Sequence, residues 1–158
     1  MSESMGALVE RGDWQTVQDR FNSQEFVRHL GIAVDLSNPD EPRCEMANIE
    51  SYHLGGIGQD FVNGAVTASV IDIALGLTGI RYAHMGYFAT RNLHIDLTLP
   101  VEKHGFYVTA RSTSRIGKNL FAEATVFNLE GHARVHATGV VRIGIGRSNT
   151  AGSGRDGS

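Results

Sequence analysis

The chain has 158 residues, of which 41% are hydrophobic and 20% charged, so it fits one globular domain and argues against extended disorder. Its net charge of −3 excludes the broad basic surface that nucleic acids or anionic membranes attract. The single cysteine, Cys44, cannot form an internal disulfide, so we expect a reducing cytoplasm. Met1 to Asp13 is polar, and we expect no signal peptide there.

The N-terminal part of the chain is predicted to hold a lead-in, a helix and a hairpin. Residues 1–13 lack periodicity and are expected to form a loose lead-in. Apolar residues recur at helical spacing from Trp14 to Leu30, with Asp13 as N-cap, a break at Asn22-Ser23 and Gly31 after the end. The elements predicted next are a strand over 32–36, a turn over 37–42 and a partner strand over 43–50.

The most apolar stretch, Phe61 to Ile80, is predicted as one helix of 20 residues. Asp72 is its only ionisable side chain, and the stretch contains no proline. One stripe of this helix carries small side chains that allow a ligand or another backbone to approach, namely Ala65, Ala68, Gly76 and Gly79, with Asp72 among them. The length would fit a bilayer, but the polar residues within the stretch argue against a membrane span.

Four antiparallel strands are predicted after this helix, because the period of the apolar residues changes from 3.6 to 2. The alternating runs cover 92–99, 106–110, 120–126 and 133–145. Pro100 ends the first of them. This order of elements predicts an α+β protein in which one helix lies on a curved antiparallel sheet. We expect a domain over 23–145, preceded by the lead-in and helix of 1–22 and followed by a disordered tail over 146–158.

Asp72 is the first candidate for chemistry. An ionised carboxylate in an apolar helix costs several kcal/mol unless it is paired or solvated, and no lysine or arginine lies within one turn of it. Asp72 therefore either faces solvent or a neighbouring loop, or acts in a cleft as general base or nucleophile.

The sequence Asn63-Gly64-Ala65 opens the same helix and is the second candidate. The first N–H groups of a helix lack intrahelical partners and can stabilise an oxyanion, although N-capping by Asn63 is an equally valid interpretation. Asn63 and Asp72 are separated by about 13 Å of rise and roughly 180° of rotation on one helix. Joint action on one reacting group therefore requires a site shared between two subunits, and with it a symmetric dimer.

Other catalytic classes lack a recognisable pattern. The seven histidines form no ligand set for a metal, and the chain has no G-x-S-x-G elbow. Cys44 lies in a predicted strand without the pattern of a nucleophile. Gly144-Ile145-Gly146 precedes no helix, so it is not a dinucleotide fingerprint. We therefore expect neither a metal nor a redox cofactor, and no nucleic-acid partner.

Residues 23–145 resemble the hotdog-fold acyl-CoA thioesterases, especially the PaaI-like type of the phenylacetate pathway. The strongest part is Phe61–Gly76, where Asn63-Gly64-Ala65 stands in place of the family's His-Gly-Gly and Asp72 falls at its acidic position. The strand Thr90–Pro100 and the hairpin Arg115–Val126 also fit. The resemblance implies the hotdog fold, a curved antiparallel sheet wrapped around one long central helix.

The resemblance also implies a mechanism. The thioester carbonyl would lie over the start of the long helix, with the Gly64 N–H as oxyanion donor. Asp72 of the other subunit would activate water or attack directly, Thr90 would hold Asp72 or the water, and the acyl group would enter an apolar pocket between the long helices. The residues implied in substrate binding are Gln59 and Ala65 near the helix start and, for the CoA phosphates, Arg91, Arg115 and Lys118.

Three positions depart from the family pattern or conflict with it. Asn63 cannot shuttle a proton as histidine does, and Ala65 narrows the approach. Strict alternation would turn Thr90 away from the helix, so either the strand begins after Thr90 or a bulge reorients it.

The predicted function is hydrolysis of a small or medium acyl-CoA by a cytoplasmic homodimer or homotetramer. A hotdog enoyl-CoA hydratase or dehydratase is one alternative, and a non-catalytic acyl-CoA binder is another.

Overall fold

The computed structural model describes residues 3–146, with the side chain of Ile145 excepted. Within that range six antiparallel strands form one sheet in the order β1-β2-β4-β5-β6-β3. In chain order the elements are α1 (Met5–Arg11), α2 (Trp14–Asn22), α3 (Glu25–Leu30), β1 (Ala33–Asp35), β2 (Arg43–Met46), a 3-10 helix (Ser51–His53), α4 (Gly64–Leu77), a second 3-10 helix (Ile80–Met85), β3 (Tyr87–Asp96), β4 (Phe106–Ile116), β5 (Asn119–Asn128) and β6 (Ala133–Ile145).

The helix α4 lies on one face of the sheet and contacts β2, β3, β4, β5 and β6. Strand β6 shows why this face is apolar, because Val135, Ala137 and Val141 are buried while His136, Thr138 and Arg142 on the opposite face are exposed. Gly139 has to be glycine, since a Cβ there would lie 2.6 Å from the carbonyl oxygen of Asn92. The predicted α+β arrangement of one helix on an antiparallel sheet is confirmed.

The helix α4 has 14 residues and is shorter at both ends than the predicted 61–80. Phe61 and Val62 form isolated bridges with Glu102 and Leu54 instead, so the helix starts after them. The chain leaves the α-helix after Leu77 and enters the second 3-10 helix. No helix within residues 3–146 has the length and apolarity needed to cross a bilayer.

The predicted loose lead-in is wrong, because α1 occupies most of it. The hydroxyl of Ser4 caps α1 by accepting the N–H of Ala7. Leu8 and Val9 are buried, and α1 packs on the second 3-10 helix. Gly6 lies so close to that helix that a Cβ there would be 3.0 Å from the Cα of His84.

The helix predicted over 14–30 is present as α2 and α3. The carboxylate of Asp13 accepts the N–H of Thr16, and α2 ends at Asn22, where the break was predicted. Gly31 adopts a left-handed conformation (φ 73°) after α3. The hairpin that follows is the antiparallel pair β1–β2.

The strand predicted over 92–99 is displaced towards the N-terminus, since β3 runs from Tyr87 to Asp96. Leu97 and Leu99, which belong to the predicted strand, lie beyond the end of β3 and are exposed. The strand β4 continues beyond the predicted 106–110 to Ile116 and forms a hairpin with β5. The tail predicted over 146–158 lies outside the described residues, apart from Gly146.

Candidate active site

Asp72 lies in a cavity of about 590 Å³ between the α2–α3 segment, α4 and β3. Its side chain is exposed and makes no hydrogen bond or ion pair with residues 3–146. Asp72 is thus exposed, as the first interpretation expected, and it also lies in a cleft, whereas its role as base or nucleophile stays a prediction. Solvation removes the cost of burying the charge, and an unpaired carboxylate is available to accept a proton.

Thr90 lines the same cavity because β3 contains a bulge. Thr90 pairs with Val141, whereas Asn92 pairs with Val140, so Arg91 is the extra residue. The bulge turns Thr90 towards α4, where its Oγ1 would lie 3.3 Å from a Cβ at Gly76. The strand therefore does not begin after Thr90; it contains the bulge that was the other alternative.

Asn63 caps the N-terminus of α4. Its Oδ1 accepts the N–H of Ala65 at 2.9 Å, and its backbone oxygen accepts the N–H groups of Val66 and Thr67. The N–H of Gly64 has no hydrogen-bond partner among the described residues. Capping therefore uses the Asn63 oxygen and the Ala65 N–H, and leaves the Gly64 N–H as the available donor at this helix start.

A second cavity, of about 240 Å³, opens at Gly64. It lies between the loop over 55–62, the start of α4 and the segment over 97–101. Asp72 does not line it, and Gly64 does not line the Asp72 cavity. One chain therefore places the candidate acid and the candidate oxyanion donor in different cavities.

Two polar contacts hold the loop over 54–62 in place beside Gly64. The Lys103 ammonium donates to the Asp60 carboxylate at 2.5 Å and holds the pKa of that carboxyl below its usual value. The carbonyl oxygen of His53 accepts the N–H of Asn63 at 2.8 Å. His53 is itself buried, so the N-cap of α4 is anchored to the core.

The three basic residues predicted to meet CoA phosphates lie together around the β4–β5 hairpin. Arg91 donates to the Asn119 side chain at 3.4 Å, next to Lys118. The Arg115 guanidinium lies 4.9 Å from the centre of the Tyr82 ring, and Lys118 donates to the carbonyl oxygen of Gly144. Arg91 also lines the Asp72 cavity, so this basic end of the sheet adjoins it.

Two predicted binding residues lie outside the cavities. Gln59 is exposed in the loop and lines neither of them. Ala65 is exposed as well, and its N–H is already used by Asn63.

Sequence reasoning missed the side chains that complete each cavity. Phe21, Gln24 and Phe26 form the wall of the Asp72 cavity opposite α4. Ile57 and Leu97 line the Gly64 cavity. Nothing in the local sequence marks these residues, because the fold brings them to the cavities from separate segments of the chain. Residues 3–146 contain no group of three or more histidine, cysteine or acidic side chains placed to hold a metal ion.

The chain is similar in structure to proteins of the thioesterase superfamily. A Shewanella oneidensis protein related to that superfamily has a TM-score of 0.73 at 19% identity, covering 89% of this chain and 97% of its own. The PaaI protein of the E. coli phenylacetic acid degradation operon has a TM-score of 0.71 at 15% identity, with coverages of 90% and 97%. Thioesterase superfamily member 2 from Mus musculus has a TM-score of 0.65 at 17% identity, with coverages of 83% and 96%.

No family model matches the sequence, and no curated protein matches it. The structural likeness therefore defines the fold: the chain has the hotdog fold of the PaaI-like thioesterases, as the sequence resemblance implied.

Proposed function

We propose that this protein is an acyl-CoA thioesterase that hydrolyses a small or medium acyl-CoA at a site shared between two subunits. The observation that supports the proposal most strongly is the pairing of two unused groups on α4. Among residues 3–146, neither the Asp72 carboxylate nor the Gly64 N–H has a hydrogen-bond partner, and each lies at its own cavity. Ester chemistry needs one group that takes a proton and one that stabilises an oxyanion.

The edge strand β3 supports a homodimer. It is ten residues long, none of them buried, and within the described residues it pairs only with β6. Long uncovered edge strands are normally protected, and pairing with a second copy is one way to do so. Antiparallel pairing of two β3 strands would bring two α4 helices side by side and Asp72 near the partner's Gly64. A homotetramer would be a further association of such dimers.

The proposed reaction needs no metal and no redox cofactor. Asp72 takes a proton from water, whose oxygen attacks the thioester carbonyl, and the Gly64 N–H stabilises the resulting oxyanion. The tetrahedral intermediate then collapses, its C–S bond breaks, and the departing CoA sulfur takes the proton from Asp72, which leaves the free acid and restores the carboxylate. Direct attack by Asp72 would instead form an anhydride that water cleaves, with the same products. Thr90 would hold the carboxylate or the water.

In this proposal, the basic residues near the hairpin bind CoA. Arg91, Arg115 and Lys118 would meet its phosphates while the thioester lies between Asp72 and the partner's Gly64. We also propose a cytoplasmic location, since Cys44 is a free thiol, as expected of a reducing compartment.

The hydratase alternative finds less support. Adding or removing water at carbon needs a placed acid and base, and no histidine lines either cavity as the described residues form it. A non-catalytic binder is supported by Asn63, whose oxygen is committed to helix capping where the family has histidine.

The first test is release of CoA from a panel of acyl-CoAs, followed with a thiol reagent. We expect Asp72→Asn to lose activity by about 100-fold or more, because it removes the proton acceptor. Asp19→Asn, at an exposed acid on α2, is the matched control and should keep wild-type activity. Tight acyl-CoA binding without turnover by the wild type would favour the binder instead.

The second test asks whether the site is shared. Dimers that carry Asp72→Asn in one subunit and Gly64→Pro in the other can be isolated with two affinity tags. One of their two sites then keeps both Asp72 and Gly64, so we expect about half of wild-type activity although each parent is inactive. An inactive mixed dimer would contradict a shared site.

A further inference from the structure

Gln24 carries the only polar side chain on the α2–α3 wall of the Asp72 cavity, as the described residues form it. The other residues of that wall are Phe21, Phe26 and Val27, and the cavity as a whole is mainly apolar. The Gln24 side chain is exposed and makes no hydrogen bond with residues 3–146, although it stands at the N-cap position of α3, where polar side chains often bond to the helix. The fold thus leaves the Gln24 carboxamide free for another partner in this cavity.

The backbone around Gln24 is held in place by hydrogen bonds. Its N–H donates to the carbonyl oxygen of Phe21 at 3.1 Å, and its carbonyl oxygen accepts the N–H of Arg28 at 3.0 Å. The Asn22 side chain donates to the carbonyl oxygen of Val34 at 2.9 Å and accepts the N–H of Val34 at 2.8 Å. The turn between α2 and α3 is therefore fixed to β1, which keeps Gln24 on the cavity wall.

The polar side chains on the other walls of this cavity divide into two groups. The Arg91 guanidinium donates to the start of β5, and Asn92 lines a depression on the face of the sheet away from α4. Asp72 and Thr90 make no hydrogen bond through their side chains with residues 3–146. Asp72, Thr90 and Gln24 are therefore the groups that remain available for chemistry in the cavity.

A water molecule that attacks a carbonyl has two O–H bonds to place. Its oxygen forms the new bond to the acyl carbon, and one of its protons passes to Asp72. The second O–H needs an acceptor, because without one the water can turn its lone pair away from the acyl carbon. Thr90 lies against α4, on the same side of the cavity as Asp72, where its hydroxyl can donate to the carboxylate. Gln24 supplies an acceptor, its Oε1, from the facing wall.

We infer that Gln24 is a positioning residue whose side-chain oxygen accepts the second O–H of the water that Asp72 deprotonates. This inference rests on the proposed function, and it selects attack by water over direct attack by Asp72. The O–H that Gln24 holds is not broken, and it stays on the tetrahedral intermediate. The electron pair of the carbonyl double bond moves to the oxygen at the partner's Gly64 N–H. The proton on Asp72 then leaves with the CoA sulfur as the C–S bond breaks.

The test compares two variants of Gln24 on the acyl-CoA that the wild type hydrolyses fastest. Gln24→Leu keeps the approximate size of the side chain and removes the acceptor. Its kcat should fall about tenfold or more while KM stays within about twofold, because the water and not the substrate loses a partner. Gln24→Glu keeps an acceptor oxygen and should retain kcat within about threefold of wild type at about pH 8. A packing role would give the opposite order, since leucine suits an apolar wall better than glutamate does.

Gln15→Leu is the matched control, because Gln15 is exposed on α2, donates to Asp19 and does not line the cavity. It should leave kcat and KM unchanged, and thermal unfolding of each variant reports its folding. A single turnover of the wild type in ¹⁸O-water, with enzyme in excess over substrate, shows the source of the new oxygen. We expect the product acid to carry the label.

The outcomes separate the two proposals. If Asp72→Asn is inactive but Gln24→Leu keeps the wild-type kcat, the thioesterase stands and the role of Gln24 is overturned. Equal losses of kcat in Gln24→Leu and Gln24→Glu overturn it too, since the retained oxygen then rescues nothing. An unlabelled product acid also overturns it, because the new oxygen then comes from Asp72. If the wild type hydrolyses none of the acyl-CoAs, both proposals fall.

Discussion

The hydroxyl of Thr90 lies 3.3 Å from the position that a Cβ would take at Gly76. Gly76 stands one helical turn after Asp72, so the two share one face of α4. The bulge at Arg91 is what turns Thr90 towards that face. The missing side chain at Gly76 therefore lets Thr90 approach the helix within one turn of the candidate acid.

Gly76→Ala tests this approach. Alanine favours the helix by about 0.5–1 kcal/mol, so the variant should unfold at the wild-type temperature or slightly above it. The added methyl displaces Thr90 by a few tenths of an ångström, and kcat should fall about threefold or more. Thermal unfolding and steady-state kinetics measure the two effects separately. Unchanged kcat would show that the position of Thr90 is not used.

Thr90→Val removes the hydroxyl while keeping the shape of the side chain. If this hydroxyl holds Asp72 or the attacking water, kcat should fall about 10- to 100-fold, as expected for a hydrogen bond to a charged group. Thr90→Ser keeps the hydroxyl and should retain most of the activity. Equal kinetics of the valine and serine variants would argue against a role for the oxygen.

Gly64→Pro removes one N–H at the start of α4 with little structural cost. Gly64 is the first helical residue, where proline is well tolerated, and Asn63 has the extended backbone (φ −59°, ψ 135°) that precedes proline. We expect nearly wild-type stability and a loss of kcat of about 100- to 1000-fold. Gly64→Ala keeps the N–H and controls for the added Cβ near Leu97. Similar activities of the two variants would exclude this N–H as oxyanion donor.

Much of the fold could be predicted from local pattern. Strand alternation and the long apolar stretch indicated a helix on an antiparallel sheet, since both periodicities follow from burial of one face. The ends of α4 could not be predicted, because Phe61 and Val62 extend the apolar run although they pair as bridges. The helix α1 was missed because its stability comes from contact with the distant second 3-10 helix.

The candidate site was only partly visible in the sequence. Asp72, Gly64 and Thr90 stood out through their place in a motif, and the structure puts the acid and the threonine in one cavity. Gln24 and Leu97 were missed, because segments far apart in the chain bring them to the cavities. Leu97 belongs to the alternating run predicted as a strand, but β3 ends at Asp96 and leaves Leu97 exposed.

His53 should be important for stability. Its buried ring accepts the N–H of Glu50 at Nδ1, and the Glu50 side chain accepts the backbone N–H of His53 in return. His53→Ala leaves a cavity and an unpaired N–H, so the free energy of unfolding in urea should fall by about 2–4 kcal/mol. His29→Ala, at an exposed position on α3, should change it by less than about 0.5 kcal/mol. Equal changes in the free energy of unfolding for the two variants would mean that His53 does not stabilise the fold.

Cys44 should make stability depend on alkaline pH. Burial raises the pKa of its thiol from the ordinary 9.0 to about 12, so between these values the unfolded chain loses a proton that the folded protein keeps. The contribution of Cys44 is therefore complete below pH 9 and decreases as pH rises towards 12, by at most about 1.4 kcal/mol per pH unit. Denaturant unfolding at pH 8 to 11 should show a steeper decline for the wild type than for Cys44→Ala. Parallel curves for the two proteins would contradict a protonated, buried thiol.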